Sequence, residues 1–125
     1  MTRVLLYNFS DEGRRKTVKA ILFRLKIPCR DISPEDQNHP LGYLLGLDGY
    51  GPGENDPEPP FSEEMLVMCG LTPRQFNGLL DEMKKVRLLV PLKAVVTAHN
   101  VAWSSGRLKR EIEAEHRAMN KGKQE

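Results

Sequence analysis

The sequence predicts an α/β fold built on a four-stranded, mainly parallel sheet in the order 2-1-3-4, with helices on both faces. Three observations predict it. Short uninterrupted apolar runs recur at Arg3–Phe9, Met65–Cys69 and Leu88–Thr97, and strands of that kind are usually covered on both faces. A stretch with helical periodicity follows each of the first two runs. The element order then reads β-α-β, an insert, and β-α-β-α, with each crossover expected to be right-handed. The competing architecture is a ferredoxin-like α+β plait, in which strand 3 is antiparallel and residues 33–64 form an elaborate hairpin connection.

Strand 1 is Arg3 to Phe9. Ser10-Asp11-Glu12 reads as a helix start, with a capping hydroxyl and acids in the first turn. Helix 1 runs to about Lys26, with Val18, Ile21, Leu22 and Leu25 on one face. Ile27 to Ile32 is a second, weaker strand, since Pro28 interrupts it. Ser33-Pro34 and His39-Pro40 open turns, and Leu41 to Gly46 forms one or two helical turns. Residues 47–61 are rich in Gly, Pro and acids, including Asp48, Glu54 and Asp56, and predict a flexible loop.

Met65 to Cys69 is strand 3, closed by Gly70. Thr72-Pro73-Arg74-Gln75 combines a hydroxyl cap, proline at the first helical position and glutamine at the third. That helix runs to about Val86, with Phe76, Leu79, Leu80 and Met83 on one stripe. Strand 4 lies within Leu88–Thr97. A last helix from near Ser104 to about Asn120 buries at most Leu108, Ile112 and Met119. The expectation is one domain over 1–120 and a disordered tail at 121–125. No internal sequence repeat stands out, but the two β-α-β units are expected to be related in form.

Of the 125 residues, 19 are Lys or Arg and 17 are Asp or Glu. The net +2 hides a segregated pattern. Residues 1–30 carry eight basic and two acidic side chains, 31–64 nine acidic and none basic, 65–125 eleven basic and six acidic. An acidic middle between basic ends should fold back over the rest. The small net field disfavours nucleic acid as a partner. Two separated cysteines, Cys29 and Cys69, without a C-x-x-C argue against a zinc ribbon or a disulfide scaffold. No run reaches transmembrane length, and Val4–Tyr7 is too short for a signal-peptide core. The expected location is the cytoplasm.

In a parallel sheet the loops after the strand carboxyl ends converge, and ligands bind there. Those loops offer Asn8, Ser10, Gly70, Thr72, Thr97, His99 and Asn100, with Trp103 just beyond. Helix starts near Ser10 and Thr72 favour a small anionic ligand. Ser10, Thr72 and Asn100 can equally serve as ordinary caps, and Trp103 as a packing residue. No cofactor motif is present. His39, His99 and His116 stand alone in sequence, so no metal set is expected.

An enzyme using Cys69 or His99 is the alternative, and it requires Glu63 or Glu64, His99 and Cys69 to meet. Cys69–Arg74 is similar to a phosphatase loop but has four residues between Cys and Arg where that loop has five. A third reading is a protein-interaction module through Pro40–Gly46, with a protein partner or a homodimer.

Pro40-Leu41-Gly42-Tyr43-Leu44-Leu45-Gly46, Glu64-Met65-Leu66-Val67-Met68, and Pro91 to Thr97 with Asn100 and Trp103 resemble a family of short bacterial proteins. That family is catalogued only as a domain of unknown function. The resemblance spans roughly Val4 to His116 and implies no activity, substrate or catalytic residue. It implies a proline after Thr97, where this chain has Ala98. A small ligand-binding or regulatory module is therefore the expected function.

Overall fold

The computed structural model describes residues 1–53 and 58–123. Its strands are β1 (Arg3–Tyr7), β2 (Cys29–Ile32), β3 (Met65–Cys69) and β4 (Leu92–Val95). Its α-helices are α1 (Glu12–Arg24), α2 (Leu41–Leu44), α3 (Pro73–Lys85) and α4 (Ser105–Lys123). The strand order is β2-β1-β3-β4, as expected. β1 pairs with β2, and β3 with β4, in parallel; β1 and β3 are antiparallel, from Arg3↔Cys69 to Tyr7↔Met65. The sheet is mixed. Its reversed centre is the feature anticipated for the plait, set in the strand order anticipated for the α/β fold. The reason is the insert, which delivers the chain to β3 at the end of the sheet where β2 finishes.

Two β-α-β halves result, and they correspond element by element. Asn8 (φ 62°) and Gly70 (φ 68°) each follow the first strand of their half, and Lys26 (φ 59°) and Arg87 (φ 57°) each lie two residues past a 13-residue helix. Buried Val18 and Leu22 of α1 correspond to buried Leu79 and Met83 of α3. Both helices pack on one face, over Val4, Leu6, Leu66 and Met68. Same face, opposite strand direction and mirrored order are the signature of an approximate two-fold axis normal to the sheet. On the other face α2 and α4 cover Leu5, Tyr7, Met65, Val67 and Leu92. Each strand of the centre is thus apolar on both sides, which is why its sequence lacks alternation.

The acidic middle does fold back. Glu58 meets Arg110 at 2.6 Å, Glu63 meets Lys109 at 2.8 Å, and Glu64 meets Arg14 at 2.6 Å. Two carboxamides fasten the segment. Gln37 accepts from the Phe61 N–H (2.9 Å) and donates to its C=O (3.2 Å), and Asn38 does the same with Glu58 (2.9 Å each way). Each side chain thereby replaces a neighbouring strand. Glu54, Asp56 and the rest of 54–57 lie outside the described residues, as do Gln124 and Glu125 of the expected tail.

Several element ends differ from expectation. Asp11, not Ser10, caps α1, its carboxylate accepting the Arg14 N–H at 2.9 Å. β2 begins at Cys29, since Pro28 carries no N–H to donate, whereas β4 (Leu92–Val95) lies within the expected run and starts just after Pro91. α4 continues to Lys123, and Met119 is 61% exposed while Leu108 and Ile112 are buried.

Candidate functional site

The antiparallel centre divides the expected site between two edges of the sheet. Asn8 and Ser10 follow β1 at one edge. Gly70 and Thr72 follow β3 at the other, where the Val96 N–H to Met68 C=O bond (2.8 Å) also places the end of β4 and Thr97. His99 and Asn100 share that second edge through the turn that follows. Trp103 leads from it toward α4, its C=O accepting from Leu41 (2.9 Å).

Most of the polar groups expected to meet a ligand are already engaged. The Asn8 side chain donates to the Phe61 and Glu63 carbonyls, 2.9 Å each. Asp11 and Glu12 give the start of α1 a negative charge that opposes an anion. Thr72 and Gln75 form a reciprocal capping box. The Asn100 amide accepts from the Thr97 N–H (2.8 Å) and donates to the Val95 C=O (3.0 Å), so it closes the outer edge of β4 as a strand would. Thr97 Oγ1 accepts from the His99 and Asn100 N–H groups. His99 lies edge-on to Trp103 (5.1 Å between centroids), and the Arg107 guanidinium stands over the same ring at 4.4 Å.

What each edge does offer is a crevice between strand ends and helix start. The β1–β2 crevice, about 550 Å³, is lined by Leu6, Asn8, Phe9, Glu12, Arg15 and Asp31, among others. The β3–β4 crevice, about 490 Å³, is lined by Met68, Gly70, Leu71, Pro73, Phe76, Asn77 and Val95. The approximate two-fold relates them: Leu6 to Met68, Asn8 to Gly70, Phe9 to Leu71, Glu12 to Pro73, Arg15 to Phe76, Asp31 to Val95. Where the first has an ion pair, Arg15–Asp31 at 2.9 Å joined by Lys19 at 2.6 Å, the second has Phe76 and Val95. Burial works against the Asp31 charge, but hydrogen bonds from Arg15 and Lys19 outweigh it and hold the carboxyl below its usual range. The second crevice is apolar, and Val95 is 46% exposed beside it.

Charge divides along the same direction. The segments meeting at the Gly70 edge are 1–3, 24–30, 69–76 and 95–100. They carry Arg3, Arg24, Lys26, Arg30 and Arg74 and no Asp or Glu. Asp11, Glu12, Asp31, Glu63 and Glu64 sit at the opposite edge, which is mixed in sign because Arg14 and Arg15 pair there with Glu64 and Asp31.

The catalytic alternative does not assemble. Glu63 and Glu64 precede β3 and Cys69 ends it, so a five-residue strand of about 15 Å separates them. Cys29 faces the other side of the sheet from Cys69, and burial raises its thiol above the ordinary range. Among the described residues no group of His, Cys, Asp and Glu is placed to hold a metal ion, and no helix is long and apolar enough to cross a membrane.

Of the apolar side chains in Pro40–Gly46, Tyr43 is 37% exposed, beside His39 at 4.8 Å between ring centroids, and the leucines turn inward. Leu41, Leu44 and Leu45 are fully buried, and Gly42 is covered by the Tyr50 ring, which would lie 2.6 Å from a Cβ there. The core takes those side chains.

The apolar crevice itself escaped the sequence reading. Phe76 reads as a core position in the stripe of α3, and Val95 as a buried strand residue. The signal available was the offset between the halves, which puts Phe76 opposite Arg15. Comparison with curated proteins and with solved structures found no match. Residues 64–119, from the start of β3 into α4, match the model of a family described as a domain of unknown function (DUF3783).

Proposed function

We propose that this chain is a small ligand-binding module, and that its site is the β3–β4 crevice, which takes a small anion with an apolar body. The observation that carries this reading is the crevice itself. It is apolar at the positions where its symmetry mate carries an ion pair, and it opens on an edge whose segments hold cations and no carboxylate. An apolar body would cover Met68, Leu71, Phe76 and Val95, burial worth roughly 25 cal/mol per Å². A carboxylate or phosphate would face the first turn of α3, which includes Arg74 and where the helix dipole favours negative charge. Because Asn100 already occupies the outer hydrogen-bonding edge of β4, an added strand is a poorer occupant than a small molecule. Binding is favoured over catalysis because, among the described residues, no acid, base and nucleophile converge.

The test is an amide-shift titration with phenylacetate, and with benzyl alcohol as its neutral counterpart. Phenylacetate should shift Gly70, Leu71, Phe76, Asn77 and Val95 with a Kd on the order of 1 mM, and benzyl alcohol should shift the same residues more weakly. Silence at these amides at about 10 mM phenylacetate, ten times that Kd, refutes the site.

A further inference from the structure

A second crevice lies on the same basic edge and shares no residue with the first. It is about 490 Å³, lined by Phe23, Arg24, Lys26, Ile27 and Pro28, where α1 ends and β2 begins. Phe23 is 84% exposed beside it, on the last turn of a helix whose other large apolar side chains, Val18, Ile21 and Leu22, are buried. A lone exposed phenylalanine is unremarkable; one set at the mouth of a crevice between two cations is a candidate anchor point. Lys26 is held in place by its left-handed conformation (φ 59°) and by its N–H bond to the Phe23 C=O (3.0 Å). Arg24 reaches Glu82 at 3.3 Å and remains 60% exposed. Glu82 stands on α3 and is shared with Lys85 (3.5 Å), so it does not discharge the edge.

We infer that this edge docks an acidic segment of a partner protein, with an apolar side chain of that segment seated beside Phe23 and its carboxylates facing Arg24 and Lys26. Charge complementarity selects the occupant. A second copy of this chain meeting it edge to edge would bring the same cations against themselves, and Asp31, Glu63 and Glu64 of the opposite edge are already paired with Arg15, Lys19, Lys109 and Arg14. A flat bilayer would leave the crevice unfilled. Base stacking would use Phe23 alone, since no second exposed aromatic stands beside it on the α1–β2 side. The inference goes beyond the small-ligand reading, because the two crevices are lined by different residues and either can fail alone.

The probe is an acetylated peptide of three Glu-Glu-Phe repeats, titrated into the labelled full chain at low salt, with polyglutamate as the control lacking the anchor. The expected result is saturable shifts at Phe23, Arg24, Lys26 and Ile27, with affinity reduced about tenfold by Phe23→Ala. Raising salt to about 0.5 M and Lys26→Glu should each weaken it further. Phe23 is exposed, so the alanine variant should keep its melting temperature, which circular dichroism checks. Equal binding of polyglutamate, or unchanged affinity in Phe23→Ala, overturns the anchored mode. Absence of shifts with the peptide overturns the proposal outright, as does preferential binding of phosphatidylglycerol vesicles or of single-stranded RNA. The phenylacetate titration reads the other crevice and is unaffected by any of these outcomes.

Discussion

Moving the ion pair of one crevice into the other tests the site most directly. Val95→Asp puts at β4 the residue that Asp31 supplies at β2, and Phe76→Arg does the same for Arg15. Take Val95→Asp first. A carboxylate at the rim would stand roughly 8 Å from a bound anion, and at an effective dielectric of about 20 their repulsion is about 2 kcal/mol. That weakens phenylacetate by about 30-fold. Benzyl alcohol carries no charge and should change by no more than about threefold, within the ordinary context dependence of a surface substitution. The variant should stay folded, since Val95 is 46% exposed and its loss costs about 1 kcal/mol of burial. Adding Phe76→Arg neutralises the carboxylate but removes the apolar wall, so the double variant should lose both ligands. Amide-shift titration gives the affinities and circular dichroism the melting temperature. If folded Val95→Asp binds phenylacetate within twofold of the parent, the anion does not sit in this crevice.

Other perturbations probe the frame around the site. Asn100→Ala strips the cap from β4, two hydrogen bonds of 2.8 and 3.0 Å, and should cost about 2 kcal/mol, read as a lower urea midpoint with unchanged slope. Gly70→Ala should cost well over the ~1 kcal/mol of a strained backbone, because its Cβ would lie 1.9 Å from the Met1 carbonyl oxygen. Gly46→Ala is the control, with φ 77° and nothing within 4 Å, and should cost only about 1 kcal/mol in the same assay. Asp31 is ionised below its ordinary range through Arg15 and Lys19, and Glu63 through Lys109. The stability each contributes is present above the unfolded carboxylate range near pH 4 and is lost as pH falls through the depressed folded value. Urea midpoints between pH 6 and pH 2 should therefore fall more steeply in the parent than in Asp31→Asn.

The local elements were legible because local physics decides them. Thr72-Pro73-Arg74-Gln75 states a helix start in four residues, and the capping box is present as read. Met65–Cys69 begins and ends where its apolar run does. Ser10 misled because hydroxyl and carboxylate caps compete when adjacent, and Asp11 reaches the Arg14 N–H. The direction of β3 was illegible for another reason. A strand buried on both faces shows the same uninterrupted pattern whether its neighbour is parallel or antiparallel, so Leu66, Val67 and Met68 carry no mark of it. Only the return path of residues 33–64 sets it, and that path depends on side chains such as Gln37 and Asn38 pairing with distant backbone.

The one unread direction redistributed the whole site. With β3 reversed, Asn8 and Ser10 part from Thr72 and Thr97, and a single expected ligand edge becomes two related ones. The halves then diverge in chemistry. One crevice keeps Arg15 and Asp31, which Lys19 joins, charges that satisfy one another and need no ligand. The other keeps Phe76 and Val95, which leave apolar surface in water at a cost that only an occupant removes. Two copies of one frame, differing at paired positions, thus supply their own control. The second crevice is the better site because the first shows how the same backbone looks when its side chains are already satisfied.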